Sequence, residues 1–247
     1  MNYLIFQLQA PLSAWGETAV GEYRPSANYP SESALIGLLA AALGIDRSDE
    51  DQHQALRAEL SFAIGVQSVG RLLRDYHTAQ VATEMILSKQ PHRVRRDELN
   101  VPADKRKDHL KTILSTRDYR QDAACLVAVQ TKTDASFSLV DLAQAIAQPK
   151  FVLYLGRKTC PPSLPLWPQV IAAENALQAM EVYRLQLAEI SGELIAPLER
   201  LVWGAGINAG VQEDLQVVRK DRLLSRAHWQ FGDRPEFVAL LAQPTIA

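Results

Sequence analysis

"AACLVAVQT" (residues 123–131) is the stretch on which the fold turns. Its first seven residues, Ala123 to Val129, are all apolar, a run too short for a core helix and of the kind that forms a strand covered on both faces. Such a strand lies inside a sheet, and its neighbours in sequence say what surrounds it. Downstream, "SLVDLAQAIAQP" (138–149) reads as a helix from an N-cap at Ser138 to a stop before Pro149, and "KFVLYLG" (150–156) as the next strand. Upstream, beyond an insertion without strong periodicity, "LLRDYHT" (72–78) and "SFAIGVQSV" (61–69) read as a hairpin about Gly70, the latter alternating Phe62, Ile64 and Val66. Before these, "SDEDQHQALRAEL" (48–60) shows capping-box spacing between Ser48 and Asp51. "PSESALIGLLAAALG" (30–44) reads as a helix capped by Ser31, with Glu32 in its first turn and Gly44 just past its end. "NYLIFQLQ" (2–9) opens the chain as a strand.

The order is strand, helix, strand, strand, helix, strand: an α+β fold of the ferredoxin-like βαββαβ type, over residues 1–160. It carries an insertion at about 78–118, and an insertion of that length is usually functional or disordered rather than core-building. After the Pro-rich "CPPSLPLWP" (160–168), residues 161–247 read as a smaller β-rich region packed on the first domain. There "EVYRLQLAE" (181–189), "LQVVRK" (215–220) and "HWQFGDR" (228–234) are candidate strands of a second small sheet.

A net charge of −2, with 47% hydrophobic and 22% charged residues, is ordinary for a globular chain and gives no global attraction to polyanions. Any such contact must be local. "KQPHRVRRDELNVPADKRKDHLK" (89–111) holds eight Lys or Arg against four Asp or Glu, a +4 arm on a remainder of −6. Cys125 and Cys160 have no partner at metal-ligand spacing and read as reduced thiols. Neither a metal nor a cofactor is expected. Residues 1–11 lack the basic and long apolar regions of a secretory signal, and no apolar run is long enough to span a bilayer, so a cytoplasmic protein without membrane contact is expected.

Several phrases in order carry a resemblance: "PLSAWG" (11–16), "RPSANYPSESALIGLLAAALGIDRSDE" (24–50), "LRDYHT" (73–78), "STRDYRQDAA" (115–124) and "YLGRKTCPPSLPL" (154–166), with "RKDRLLSRAHWQFGDR" (219–234) as a later echo. Together they resemble the CRISPR-associated protein 5 family in its subtype I-E form. The resemblance implies a ferredoxin-like (RNA-recognition-motif-like) fold of the repeat-associated RAMP superfamily, with a thumb where the basic insertion falls. It also implies a subunit of the Cascade surveillance complex that grips the 5′ handle of the crRNA and touches the backbone subunit and the large subunit, with target DNA reached through the guide RNA.

A single-stranded handle calls for cations on phosphates, planar groups for stacking and donors for base edges. Arg93, Arg95, Arg96, Lys105, Arg106 and Lys107 supply the first; their bland reading is a solvated loop. On a strand, Arg74 and Tyr76 share one face and Asp75 and His77 the other; Tyr76 or His77 is a stacking or ribose contact, and Arg74 with Asp75 is by default a surface ion pair. The resemblance adds Arg117, Tyr119, Tyr154, Arg157 and Lys158, with Gly156 allowing close backbone approach to a phosphate. Arg24 joins the candidates, whereas Trp15 is expected in the core or at a subunit contact.

No P-loop, H-E-x-x-H or paired-carboxylate metal motif occurs. Metal-free RNA cleavage needs a base and an acid, for which His77, Tyr76, His109 and Lys111 are present. The adjacent Lys-His pair associated with RNA-cutting relatives is not seen. The expectation is a non-catalytic RNA-binding subunit; the alternatives are a metal-independent endoribonuclease of CRISPR repeat RNA and a purely structural scaffold.

Overall fold

The computed structural model describes residues 1–82, 110–225, 228 and 230–242. The strands are β1 (Asn2–Ser13), β2 (Tyr23–Arg24), β3 (Leu60–Ser68), β4 (Arg71–Ala82), β5 (Leu110–Thr131), β6 (Gln169–Ala172), β7 (Arg200–Gly204), β8 (Leu215–Ser225) and β9 (Gln230–Leu240). The helices are α1 (Glu32–Leu43), α2 (Glu50–Glu59), α3 (Leu139–Ala147) and α4 (Ala176–Ser191).

β5 organises the molecule. Its second half lies between β1 (Leu4 opposite Val129, Leu8 opposite Cys125) and β3 (Phe62 opposite Val129, Ile64 opposite Val127), so Leu126 to Val129 are fully buried, as a continuous apolar run requires. Alternation sends Leu4, Phe6, Val127 and Ile64 to one face, under α1 and α3. It sends Tyr3, Ile5, Leu126 and Ala63 to the other, under α4. The sheet runs β6-β1-β5-β3-β7-β9-β8, antiparallel throughout this order.

The first half of β5 leaves this sheet as an arm, paired with β4 from Arg71 opposite Gln121 to Ala82 opposite Leu110. β3 and β4 are therefore successive partners of one long strand, and no hairpin forms about Gly70. The break has a local cause. Gly70 (φ 65°) and Asp122 (φ 55°) sit across from each other in left-handed conformations, and a Cβ on Gly70 would stand 2.1 Å from the Gln121 carbonyl oxygen.

Helix ends follow the side chains named from sequence, with one shift. Ser31 accepts from the Ala34 N–H, Gly44 closes α1 at φ 76°, and Ser138 accepts from the Asp141 N–H. For α2 the cap is Asp49, which accepts from the Gln52 N–H, rather than Ser48. Trp15 is buried, as are both free thiols, and burial pushes Cys125 up to about 12.

Three strand expectations are corrected. "KFVLYLG" forms no ladder: Lys150 and Phe151 donate to the Ala42 and Ala41 carbonyls at the end of α1, and Leu155 to Cys160, which turns the segment into a loop. The free edge of β1 is taken by β6 instead, Leu4 facing Val170. "EVYRLQLAE" lies within α4, because Ala176, Ala179, Met180 and Tyr183 recur at helical spacing and are buried together. Among the described residues there is no second sheet, since β7 pairs with β3 (Ala63 opposite Trp203) and extends the first.

β8 and β9 are tied back to α1 by a buried ion network that no local pattern announces. Arg234 meets Asp221 and Glu236, each at 2.6 Å, and Glu32 at 3.5 Å. Tyr29 donates to Glu236 at 2.7 Å, while Arg219 lies 3.7 Å from Glu236 and 3.3 Å from Glu17. Burial raises the pKa of Glu32 and of the Tyr29 phenol. Among the described residues no group of three His, Cys, Asp or Glu is placed to hold a metal, and no helix is long and apolar enough to cross a membrane.

Candidate nucleic-acid interface

Two groups of candidate residues come together where the arm leaves the body. At the base of the arm β5 has a partner on each side: β2 runs parallel to it (Tyr23 beside Thr116, Arg24 beside Arg117), and β4 antiparallel (Arg74 opposite Asp118, Tyr76 opposite Thr116). Alternation puts Tyr23, Arg74, Tyr76 and Asp118 on one face and Arg24, Asp75, His77 and Arg117 on the other.

On the first face Arg74 pairs with Asp118 across the strands, not with Asp75. Its Nε and Nη2 donate to the carboxylate at 2.9 and 3.2 Å, and Nη2 also donates to the Tyr23 hydroxyl at 2.8 Å. The Tyr23 hydroxyl in turn donates to Asp118, and the guanidinium sits 5.1 Å from the Tyr23 ring centre. The Arg74 hydrogen bond holds the Asp118 carboxyl below its ordinary range, and Asp118 raises the Tyr23 phenol. Arg74 is thus a compensated charge that braces the arm. Tyr76, on the same face, is 68% exposed.

The sign of the pH effect follows. Stabilisation by ionised Asp118 is present above the unfolded carboxyl value of about 4 and is lost as pH falls through the lower folded value. Because Arg74 is half exposed, its size is about 1 kcal/mol or less. Acid unfolding of Asp118→Asn is expected to lack this step, which a comparison with the unsubstituted chain checks.

The second group lies on the loop after α3. Gly156 (φ 90°) packs so closely that a Cβ would fall 1.8 Å from the Ala14 carbonyl oxygen, and the Ala14 N–H donates to Leu155. Gly156→Ala is expected to lower stability by more than about 1 kcal/mol, measured by chemical denaturation. The next residue joins the two groups. Arg157 donates to the Asp118 carbonyl at 3.1 Å and the Arg24 carbonyl at 3.3 Å, and its guanidinium lies 4.5 Å from the Tyr119 ring centre. Tyr119 is itself buried, so its ring serves as a platform for Arg157. Lys158 is exposed and Tyr154 is half-buried. Arg117 donates through Nε to the Ser115 hydroxyl at 3.1 Å.

Between this loop, the 14–17 segment, α1 and the turn end of β8 and β9 lies a cleft of about 450 Å³, lined among others by Arg24, Arg47, Tyr154 and Arg157. Arg47, Tyr23 and Asp118 did not figure among the sequence candidates. Tyr23 adjoins Arg24 and Asp118 sits between Arg117 and Tyr119, so adjacency to named cations was the signal available. Arg93, Arg95, Arg96, Lys105, Arg106 and Lys107, with His109, lie outside the described residues. Among the described residues the candidate acid and base groups are not brought together. Tyr76 and His77 occupy opposite faces of β4, and Lys111 pairs with Val81, four residues or about 13 Å along the strand from His77.

A family model described as "CRISPR-associated protein (Cas_Cas5)" matches residues 3–235. The CRISPR system Cascade subunit CasD of Escherichia coli (strain K12) is 32% identical over 192 residues, covering 74% of this chain and 77% of the relative. A chain from a solved "CRISPR RNA-guided surveillance complex" superposes with a TM-score of 0.63 at 24% identity, over 99% of this chain and 95% of that one. A second, "Crystal structure of Cas protein", gives 0.61 at 24% identity, over 97% and 94%. At that identity the two structures speak for the fold, a mixed α/β architecture built on a large antiparallel sheet. With the family model spanning nearly all of the sequence, the chain belongs to the CRISPR-associated protein 5 family.

Proposed function

We propose that this chain is the handle-holding subunit of a type I-E Cascade complex, cytoplasmic and non-catalytic. It binds the 5′ handle of the crRNA and seats the backbone and large subunits, so that the guide RNA can pair with target DNA in antiviral defence. The observation that carries the reading is the junction made by Arg157, which links the base of the arm to the cleft and so sets cations and aromatic rings of both within reach of one RNA strand. The relative named for a Cascade subunit supports it. The antiparallel order β6-β1-β5-β3 with α1 and α3 on one face fits a ferredoxin-like core of the RAMP superfamily. In it the arm around 78–118 is the thumb, and residues 161–247 supply β6 and the β-rich extension.

The endoribonuclease alternative requires His77, Tyr76 and Lys111 around one ribose, and their separation along and across β4 speaks against it. The test is to co-express the tagged chain with its neighbouring subunits and a CRISPR array, with and without the separate processing endonuclease. Mature 5′ handles are expected only when that endonuclease is present; handles formed without it would replace this reading with the enzyme. If Tyr154 stacks on a base, Tyr154→Ala costs about 1–3 kcal/mol of handle affinity. A binding titration showing a loss of only a few tenths would assign Tyr154 to packing.

A further inference from the structure

We propose that the end of α4 and the turn after it form a protein-docking surface for a partner element that is apolar at its centre and basic at its edges. The proposal rests on the assembly reading above only for the source of that partner, a neighbouring subunit. The cleft belongs to the face of the sheet under α1 and α3, whereas α4 covers the other face. A protein held at α4 therefore leaves the cleft open.

Three large apolar side chains stand out within ten residues. Leu185 is 61% exposed, Ile190 67% and Leu194 93%, the last being the most exposed large apolar side chain among the described residues. The fold does not call for them. α4 already buries Ala176, Ala179, Met180 and Tyr183, and Leu185, about two and a half turns past Ala176, lies on the opposite side of the helix. Singly scattered apolar residues need no explanation, but a cluster marks a contact surface.

The surface is held rigidly. Gly192 ends α4 at φ 69°, and Arg184 donates to the Ile195 carbonyl at 3.1 Å. Gln67 donates to the Ala196 carbonyl at 2.8 Å and the Glu199 N–H to the Val66 carbonyl at 2.8 Å, which pins the returning chain to β3. A surface fixed in advance loses little entropy on binding.

Charge selects the kind of partner. Residues 169–199 hold five Glu and one Arg, a charge of −4, and that one cation, Arg184, is paired with Glu181 at 2.8 Å. Glu189 and Glu193, both exposed, each precede one of the apolar residues Ile190 and Leu194. Such a rim repels nucleic acid and anionic membrane surfaces alike and attracts Lys and Arg. An apolar centre inside a polar rim is the build of a protein interface.

The test uses the full chain, tagged and co-expressed with its neighbouring subunits and a CRISPR array. The unsubstituted chain is compared with Leu194→Ser, with Ile190→Ser combined with Leu194→Ser, and with Glu189→Lys combined with Glu193→Lys. Subunit ratios in the purified assembly are read over a salt series; the size, thermal midpoint and handle-RNA affinity of each isolated chain are recorded alongside. Both combined variants are expected to lower retention of one neighbouring protein subunit about tenfold or more, with handle-RNA affinity unchanged. The midpoint is expected to hold, since the serines replace exposed residues and a cation suits a helix C-terminus. In the assembly the amides of 185–195 are expected to gain hydrogen-exchange protection over the isolated chain. Should a combined variant fail to fold, Leu194→Ser decides.

Subunit ratios unchanged in every variant, with no added protection at 185–195, overturn the docking surface and leave the handle-holding function standing. An isolated chain that is dimeric, and that these substitutions make monomeric, overturns the neighbouring subunit as occupant in favour of a second copy. An unsubstituted chain that retains no neighbouring subunit and binds no handle RNA overturns the docking surface and the handle-holding function together.

Discussion

Glu236→Ala is expected to destabilise the fold by about 3–5 kcal/mol, the usual cost of removing one partner of a buried ion pair. Glu236 is 1% exposed; it faces Arg234 at 2.6 Å, accepts from the Tyr29 hydroxyl at 2.7 Å and lies 3.7 Å from Arg219. Truncation removes the anion that lies between these two guanidiniums and strips the phenol of its acceptor. Chemical denaturation measures the loss, and Glu236→Gln, which keeps an acceptor of the same shape, is expected to cost less. A loss below about 1 kcal/mol for the alanine variant would mean that water takes the place of the carboxylate. β8 and β9 are held to α1 through Arg234 and Glu32, so their amides are expected to lose hydrogen-exchange protection first.

Reversing Arg95, Arg96, Lys105 and Arg106 to Glu is expected to have the largest effect on RNA. If each neutralises one phosphate of a single strand, the slope of log affinity against log salt falls by about 3. These positions lie in the +4 segment, so the change is electrostatic and the thermal midpoint is expected to stay where it is. An unchanged slope and unchanged crRNA retention at moderate salt would remove residues 89–111 from the interface. A lowered midpoint with an unchanged slope would assign the segment a structural part.

Both predictions turn on charged groups, yet only one group was legible in the sequence. The basic segment is contiguous, so its composition identifies it without any fold. The Glu236 network is assembled from the 14–32 segment, β8 and β9, with Tyr29 and Glu236 standing 207 positions apart in the chain. The candidate site divides in the same way. Tyr154, Gly156 and Arg157 fall in one phrase and were named together. The Tyr23, Arg74 and Asp118 contact needed three strands in register before it existed, and the default partner for Arg74 was its neighbour Asp75.

What the sequence determined by itself were features whose cause lies within a few residues. They are the buried strand at 123–131, the caps Ser31, Gly44 and Ser138, the helix stop before Pro149 and the local charge of 89–111. Each is set by apolar run length, a side chain satisfying a nearby N–H, or composition. The tertiary structure alone decided which strand closes the edge of β1, whether β3 and β4 pair with each other or in series along β5, and which carboxylate each arginine meets. A strand is completed by a ladder partner and a buried charge by a counter-charge. When the partner lies far along the chain, packing chooses it, and "KFVLYLG" is a loop in which the Lys150 and Phe151 amides are satisfied by the end of α1 and that of Leu155 by Cys160, with no sheet partner.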